Sequence, residues 1–165
     1  MSVARALLIA LGLFVTTAIA NAADWQTYVN HEHGFQMDYP AHLFSSYGPA
    51  EDGDGTTFRS TANDKVLSIY GFQNGDELPI KTVRNIVVEN YSDREITYER
   101  QKNNWLVLSG FQTDDGVRNI FYHRLASNRA GDRFAVFEFV WPESARADVD
   151  HLLKRMTDSL TSPKK

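Results

Sequence analysis

The sequence predicts an α+β domain, a largely antiparallel β-sheet with a helix on each face, and three observations predict it. Residues 133–141, Arg-Phe-Ala-Val-Phe-Glu-Phe-Val-Trp, alternate without becoming polar on either side. Phe134, Val136 and Val140 point one way and Ala135, Phe137, Phe139 and Trp141 the other, so this central strand needs apolar cover on both faces. Two stretches have the helical spacing that supplies such cover: Ile80, Val83, Val87 and Tyr91, and Ala145, Val149, Leu152, Leu153, Met156 and Leu160. The connections between the later strands, among them Asn103-Asn104 and Asp115-Gly116, are too short for crossovers, so neighbouring strands run antiparallel.

Residues 1–22 have the three parts of a secretory leader: a positive charge at Arg5, an apolar run over residues 6–15, and the small-residue exit Ala20-Asn21-Ala22. The apolar part is short for a membrane span, and the polar Ala23-Asp24-Trp25-Gln26 follows at once. The expectation is a cleaved leader over 1–22, a single domain over 23–165, a periplasmic location and no stable membrane insertion after cleavage. With no cysteine in 165 residues, stability rests on packing, and thiol chemistry and a lipid anchor on cysteine are excluded. A formal charge of −4 with both signs interspersed argues against a nucleic-acid or anionic-membrane partner.

In chain order, residues 25–29 and 35–39 read as short strands about the turn Asn30-His31-Glu32-His33-Gly34. Pro40 ends the second, residues 41–44 offer one helical turn, and 45–49 loop away. The acidic turn 51–55 leads into a strand at 56–60, and Asn63-Asp64 turns into another at 66–72. Pro79 opens the first helix, which runs to about residue 92. Strands follow at 96–100, 105–111, 117–125 and 134–141. Pro142 opens the last helix, with Glu143 at the positive end of its dipole. The tail, residues 161–165, has nothing evident to bury and should fray.

Several motifs carry a family resemblance. Trp25-x-x-Tyr28-x-Asn30, Gly34-Phe35-x-x-x-Tyr39-Pro40, Gly53-Asp54-Gly55 and Phe58-x-Ser60 resemble the opening of small exported Gram-negative bacterial proteins with a PsbP-like fold. Trp105-x-Val107-x-Ser109-Gly110, Phe121-Tyr122 and the last helix are similar to that family's second half. The resemblance implies an α-β-α sandwich that acts by binding other proteins; it implies no reaction.

No stretch carries a recognisable catalytic signature. Gly-x-Ser-x-Gly, Ser-x-x-Lys and phosphate-binding glycine loops do not occur. Ser109-Gly110 falls inside a strand, and Asp114-Asp115 lies in a hairpin turn where neither carboxyl would acquire a raised pKa. His31-Glu32-His33, with His42 nearby, has a spacing seen in some zinc sites, but a turn of this composition is more often solvated. Asp52-Gly53-Asp54-Gly55 lacks the third carboxylate and the closing Glu of a calcium loop. No cofactor is expected. Tyr39, Phe44 and Tyr47, with Asp52 and Asp54, form a candidate partner surface, although the favoured reading of the three aromatics is that they cap the open end of the sheet.

The sharpest expectation concerns Glu138, the only charged group inside the central strand. The Asp115-Gly116 hairpin puts His123 on the face of Leu106, Leu108, Phe121 and Leu125; if the 128–132 loop closes so that Leu125 lies near Phe134, Glu138 emerges opposite His123 or one diagonal away, whereas a shift of one residue would bring it to the face of Tyr122 and Arg124. His123 and Glu138 are expected in the first arrangement, as a polar pair, structural before catalytic. The functional expectation is an exported, non-enzymatic accessory domain engaging a protein partner in the cell envelope. A hydrolase or ligand-processing enzyme is the alternative, and a metal-binding protein the third reading.

Overall fold

The computed structural model describes residues 25–91 and 93–164; the expected leader, residues 1–22, lies outside them. Nine strands and two helices follow in chain order: β1 (Trp25–Asn30), β2 (Phe35–Pro40), β3 (Ser46–Pro49), β4 (Asp54–Arg59), β5 (Val66–Gln73), α1 (Ile80–Asn90), β6 (Glu95–Lys102), β7 (Trp105–Asp114), β8 (Val117–Ser127), β9 (Arg133–Pro142) and α2 (Arg146–Ser159). Seven strands form one sheet in the order β3-β4-β5-β9-β8-β7-β6, every pair antiparallel. The two-faced strand β9 is its middle member, which explains why neither of its faces is polar.

Each helix covers one face, so the α+β architecture with a helix on each side holds. On one side Ile80 and Val83 of α1 pack with Leu106, Leu108, Phe121, Leu125, Phe134 and Val136. On the other, Val149, Leu152 and Met156 of α2 pack with Leu67, Ile69, Phe137, Phe139 and Trp141. The second layer there is shared: β1 and β2 form their own two-stranded sheet, which sends Phe35 and Met37 into the same core. Helix α1 begins just after Pro79, where the missing N–H leaves no bond unmade; Pro142, expected to open the last helix, instead ends β9 and caps a 3-10 turn over Glu143–Ala145, and α2 starts only at Arg146.

The hairpin between β7 and β8 turns on Asp115 and Gly116 with φ of 50° and 79°, the paired left-handed conformations that match strand twist. At the far edge, pairing between β6 and β7 shifts register between Ile96 and Tyr98. Gly110 sits opposite Ile96 there, and a Cβ on it would fall 1.8 Å from the Glu95 carbonyl oxygen. No larger residue fits this bulge.

Two expectations need correction. Residues 46–49 are a strand, not a loop: they pair with Thr56–Arg59 at the sheet edge. Gly48 and Pro49 read as loop residues, but an edge strand tolerates a proline because one side of it makes no ladder. The tail is also docked, not frayed. Thr161 N–H donates to the Gln36 carbonyl and Lys164 N–H to that of His33, while Thr161 Oγ1 accepts from Gln36 N–H at 2.9 Å. Leu160 and Pro163 are buried. The tail satisfies the outer edge of β2, a row of backbone groups that would otherwise be open.

Candidate functional site

A row of polar side chains crosses the α1 face of the sheet between apolar rows. Thr57 of β4 pairs with Ser68 of β5, Ser68 with Glu138 of β9, and Glu138 with His123 of β8. Thr57 and Ser68 share a hydrogen bond of 2.8 Å. His123 Nδ1 lies 3.3 Å from Glu138 Oε2. Beyond His123 the row ends at Leu108, which closes it with apolar surface.

Helix α1 completes the cluster. The Tyr91 hydroxyl, at the helix C-terminus, donates to Glu138 Oε2 and lies 2.9 Å from His123 Nδ1. Arg94, three residues on, donates from Nη2 to Glu138 Oε1 at 3.0 Å. Its guanidinium stacks 3.8 Å above the Tyr91 ring and 4.9 Å from that of Phe121. The Tyr91 proton is committed to the carboxylate, so Nδ1 of His123 is assigned as the N–H that faces both oxygens. In the neutral ring Nε2 then carries the lone pair, and it has no partner among the described residues.

The electrostatics follow from this geometry. Burial pushes the Glu138 carboxyl up, but the hydrogen bond and charge of His123 and the charge and hydrogen bond of Arg94 outweigh it and hold the group down at about 2. Burial and the Glu138 charge push the Tyr91 phenol far up, so it remains a donor. Burial, with the charges of Glu138 and Asp52, does the same to Tyr70.

Beside this cluster α1 stops short of the β3 edge, and a cleft of about 630 Å³ opens over β5. Its apolar walls are Tyr70 and Phe72, stacked with ring centres 6.5 Å apart, and Leu78, Val83, Ile86 and Val87. His123 lies at its floor and Asp52 and Asp76 at its mouth. A smaller compartment of about 250 Å³, bordered by Arg59, Ser68, Arg94 and Glu138, adjoins it through Asp52, Tyr70 and Tyr91. Volume and lining fall within the range of ligand sites, an apolar cleft with a few convergent polar groups.

The residues expected from sequence are distributed differently. His123 and Glu138 meet in this cluster. Tyr39, Phe44 and Tyr47 lie with the core of the opposite face: Tyr39 and Phe58 stack with centres 4.5 Å apart, and Phe44 packs 5.8 Å from Phe139. Tyr39 and Phe44 are half-buried, whereas Tyr47 is 80% exposed. Asp52 borders the cleft, while Asp54 lies 3.2 Å from His33 Nε2, so the five do not form one surface. His33 is buried, and its ring packs on Gly71, where an added Cβ would come within 2.5 Å of it. Among the described residues no group of three His, Asp or Glu side chains is placed to hold a metal, and no helix is long and apolar enough to cross a membrane.

Tyr91 and Arg94 were not singled out from sequence. Tyr91 ends the apolar stripe of α1 and reads as core, and Arg94 sits in a polar turn. The available signal was Glu138 itself, since a buried carboxylate calls for a cation as well as an imidazole.

The fold is similar to that of a cyanobacterial PsbP (CyanoP) from Synechocystis, with a TM-score of 0.59 at 15% identity over 92% of this chain and 99% of that one. It is also similar to the Ran-binding protein Mog1p of Saccharomyces cerevisiae, with a TM-score of 0.57 at 12% identity over 83% of this chain and 94% of that one. A protein from Bacteroides thetaiotaomicron matches at a TM-score of 0.52 and 16% identity; 84% of this chain spans 48% of its length. No family model matches the sequence and no curated protein matches it. The chain has a PsbP- and Mog1p-like α+β fold.

Proposed function

We propose that the protein is exported through residues 1–22 and acts in the periplasm as a non-enzymatic binding module, engaging a protein partner at the cleft beside α1. One observation carries this reading: α1 covers β7, β8 and β9 but leaves the β5 side of its face as an apolar cleft of about 630 Å³. Ile86, 43% exposed, stands on the helical wall of that cleft. A Ran-binding protein of the same fold offers a precedent for protein binding at the level of architecture alone. The leader has a charged start, an apolar run and a small-residue exit, which supports export.

A hydrolytic reading has one observation in its favour. His123 is held at Nδ1 by Glu138 while Nε2 is unpartnered, the arrangement of an oriented general base. Against it, His123 is only 2% exposed and Glu138 is already bonded to Tyr91 and Arg94. A base must reach its substrate, and this ring lies beneath its neighbours.

The test compares affinity capture from a periplasmic extract by the wild-type domain, Ile86→Asp and Tyr47→Asp, with folding checked by circular dichroism. Both substitutions are at exposed positions. A partner retained by Tyr47→Asp and lost by Ile86→Asp is the expected result. Retention by Ile86→Asp with loss by Tyr47→Asp would move the surface to the opposite side.

A further inference from the structure

The charge and lining of the cleft say more about its occupant. Resting on the reading that the partner is a protein, we infer that the cleft accepts a lysine-bearing segment, with the ammonium at Asp52 and Asp76 and an adjoining apolar side chain against Phe72 and Ile86. Among the described residues, the lining of the larger compartment includes both aspartates and no lysine or arginine. Neither aspartate forms an ion pair among the described residues. They approach the mouth from two different segments, the turn before β4 and the loop before α1, so they do not belong to one acidic run.

His123 lines the bottom of the cleft with Nε2 buried and without a hydrogen-bond partner among the described residues. The Tyr70 and Phe72 rings are stacked at the wall and give it aromatic surface. In the adjoining compartment Arg94 is matched by Glu138, and Arg59 borders that compartment and not this cleft. Two carboxylates without an ion-pair partner among the described residues and an aromatic and apolar wall together suit a long apolar stem that ends in an ammonium group.

The probes are two blocked tripeptide amides, leucyl-lysyl-phenylalanine and its leucyl-glutamyl-phenylalanine counterpart, titrated by NMR into the ¹⁵N-labelled domain and into the Asp52→Asn, Asp76→Asn double variant. Both aspartates are exposed, so the double variant should keep its fold. The lysine peptide is expected to shift the amides of Ile86, Val87 and Phe72, to bind at least about tenfold more tightly than the glutamate peptide, and to lose about tenfold in the double variant. Binding of both peptides alike, no change in the double variant, shifts confined to the α2 face, or no shift at millimolar lysine peptide would each overturn the inference. The functional reading fails separately: a captured partner that ignores Ile86→Asp, with the lysine peptide still seated in the cleft, would sink that reading and leave this one.

Discussion

Glu138 stands between Phe137 and Phe139 in the middle strand, and it is tolerated there because three donors converge on its carboxylate. Removing the charge while keeping the shape leaves Arg94 buried without its counter-ion, so Glu138→Gln should destabilise the domain by about 2–4 kcal/mol in urea melts at pH 7. The sign of the pH dependence follows from the depressed carboxyl. A group held below its unfolded pKa adds stability above that value and loses it as pH falls through the folded one. Glu138 therefore contributes fully above about pH 4.5 and less and less toward about pH 2. Melts of wild type should weaken across that window, and the loss should be smaller in Glu138→Gln; equal losses would mean that other carboxylates dominate. Tyr91→Phe, which removes one neutral donor, should cost about 1–2 kcal/mol. Period-2 alternation put His123 and Glu138 within reach of each other, but which face Glu138 took depended on the register across the 128–132 loop, which the sequence left open to a shift of one residue. Arg94 was not legible, because nothing local to it reports that the chain after α1 folds back over a carboxylate some forty residues away in sequence.

At the scale of elements, α2 is a docked helix whose apolar stripe fills the face opposite α1. Leu152→Ala should lower stability by about 2–4 kcal/mol through the cavity it leaves; a thermal melt showing less than about 0.5 kcal/mol would mean that the helix does not bear on the sheet there. The tail beyond α2 is tied to β2 by backbone bonds and by Thr161 Oγ1. Thr161→Ala should cost about 0.5–1 kcal/mol, measured in the same way, and no loss would return the tail to the frayed state its polar sequence implies. The helices were readable because a 3.6-residue stripe is written in consecutive residues. The edge strand β3 and the tail were not, because both are held by backbone groups, and backbone pairing leaves little trace in side-chain pattern. Tyr47, Gly48 and Pro49 look like a loop until Phe58 and Thr57 are known to lie beside them.

At the scale of the whole molecule, the two faces of the sheet are covered unequally. Among the described residues, one carries α2 and the β1–β2 pair and the other carries α1, shorter at 11 residues against 14, over a sheet of seven strands. Sequence alone indicates two covered faces but not how far each cover extends, since that depends on the lateral position of α1, which no periodicity encodes. The cleft is the consequence of that mismatch, and its aromatic wall, Tyr70 and Phe72, reads in sequence as ordinary core. The measurement that tests its role most directly is site-specific photocrosslinking in the cell envelope, with the photoreactive residue placed at position 86 or at position 47. A discrete protein adduct from position 86 and none from position 47 is the expected result. An adduct from position 47 alone would contradict it and assign the partner to the aromatic surface on the opposite side.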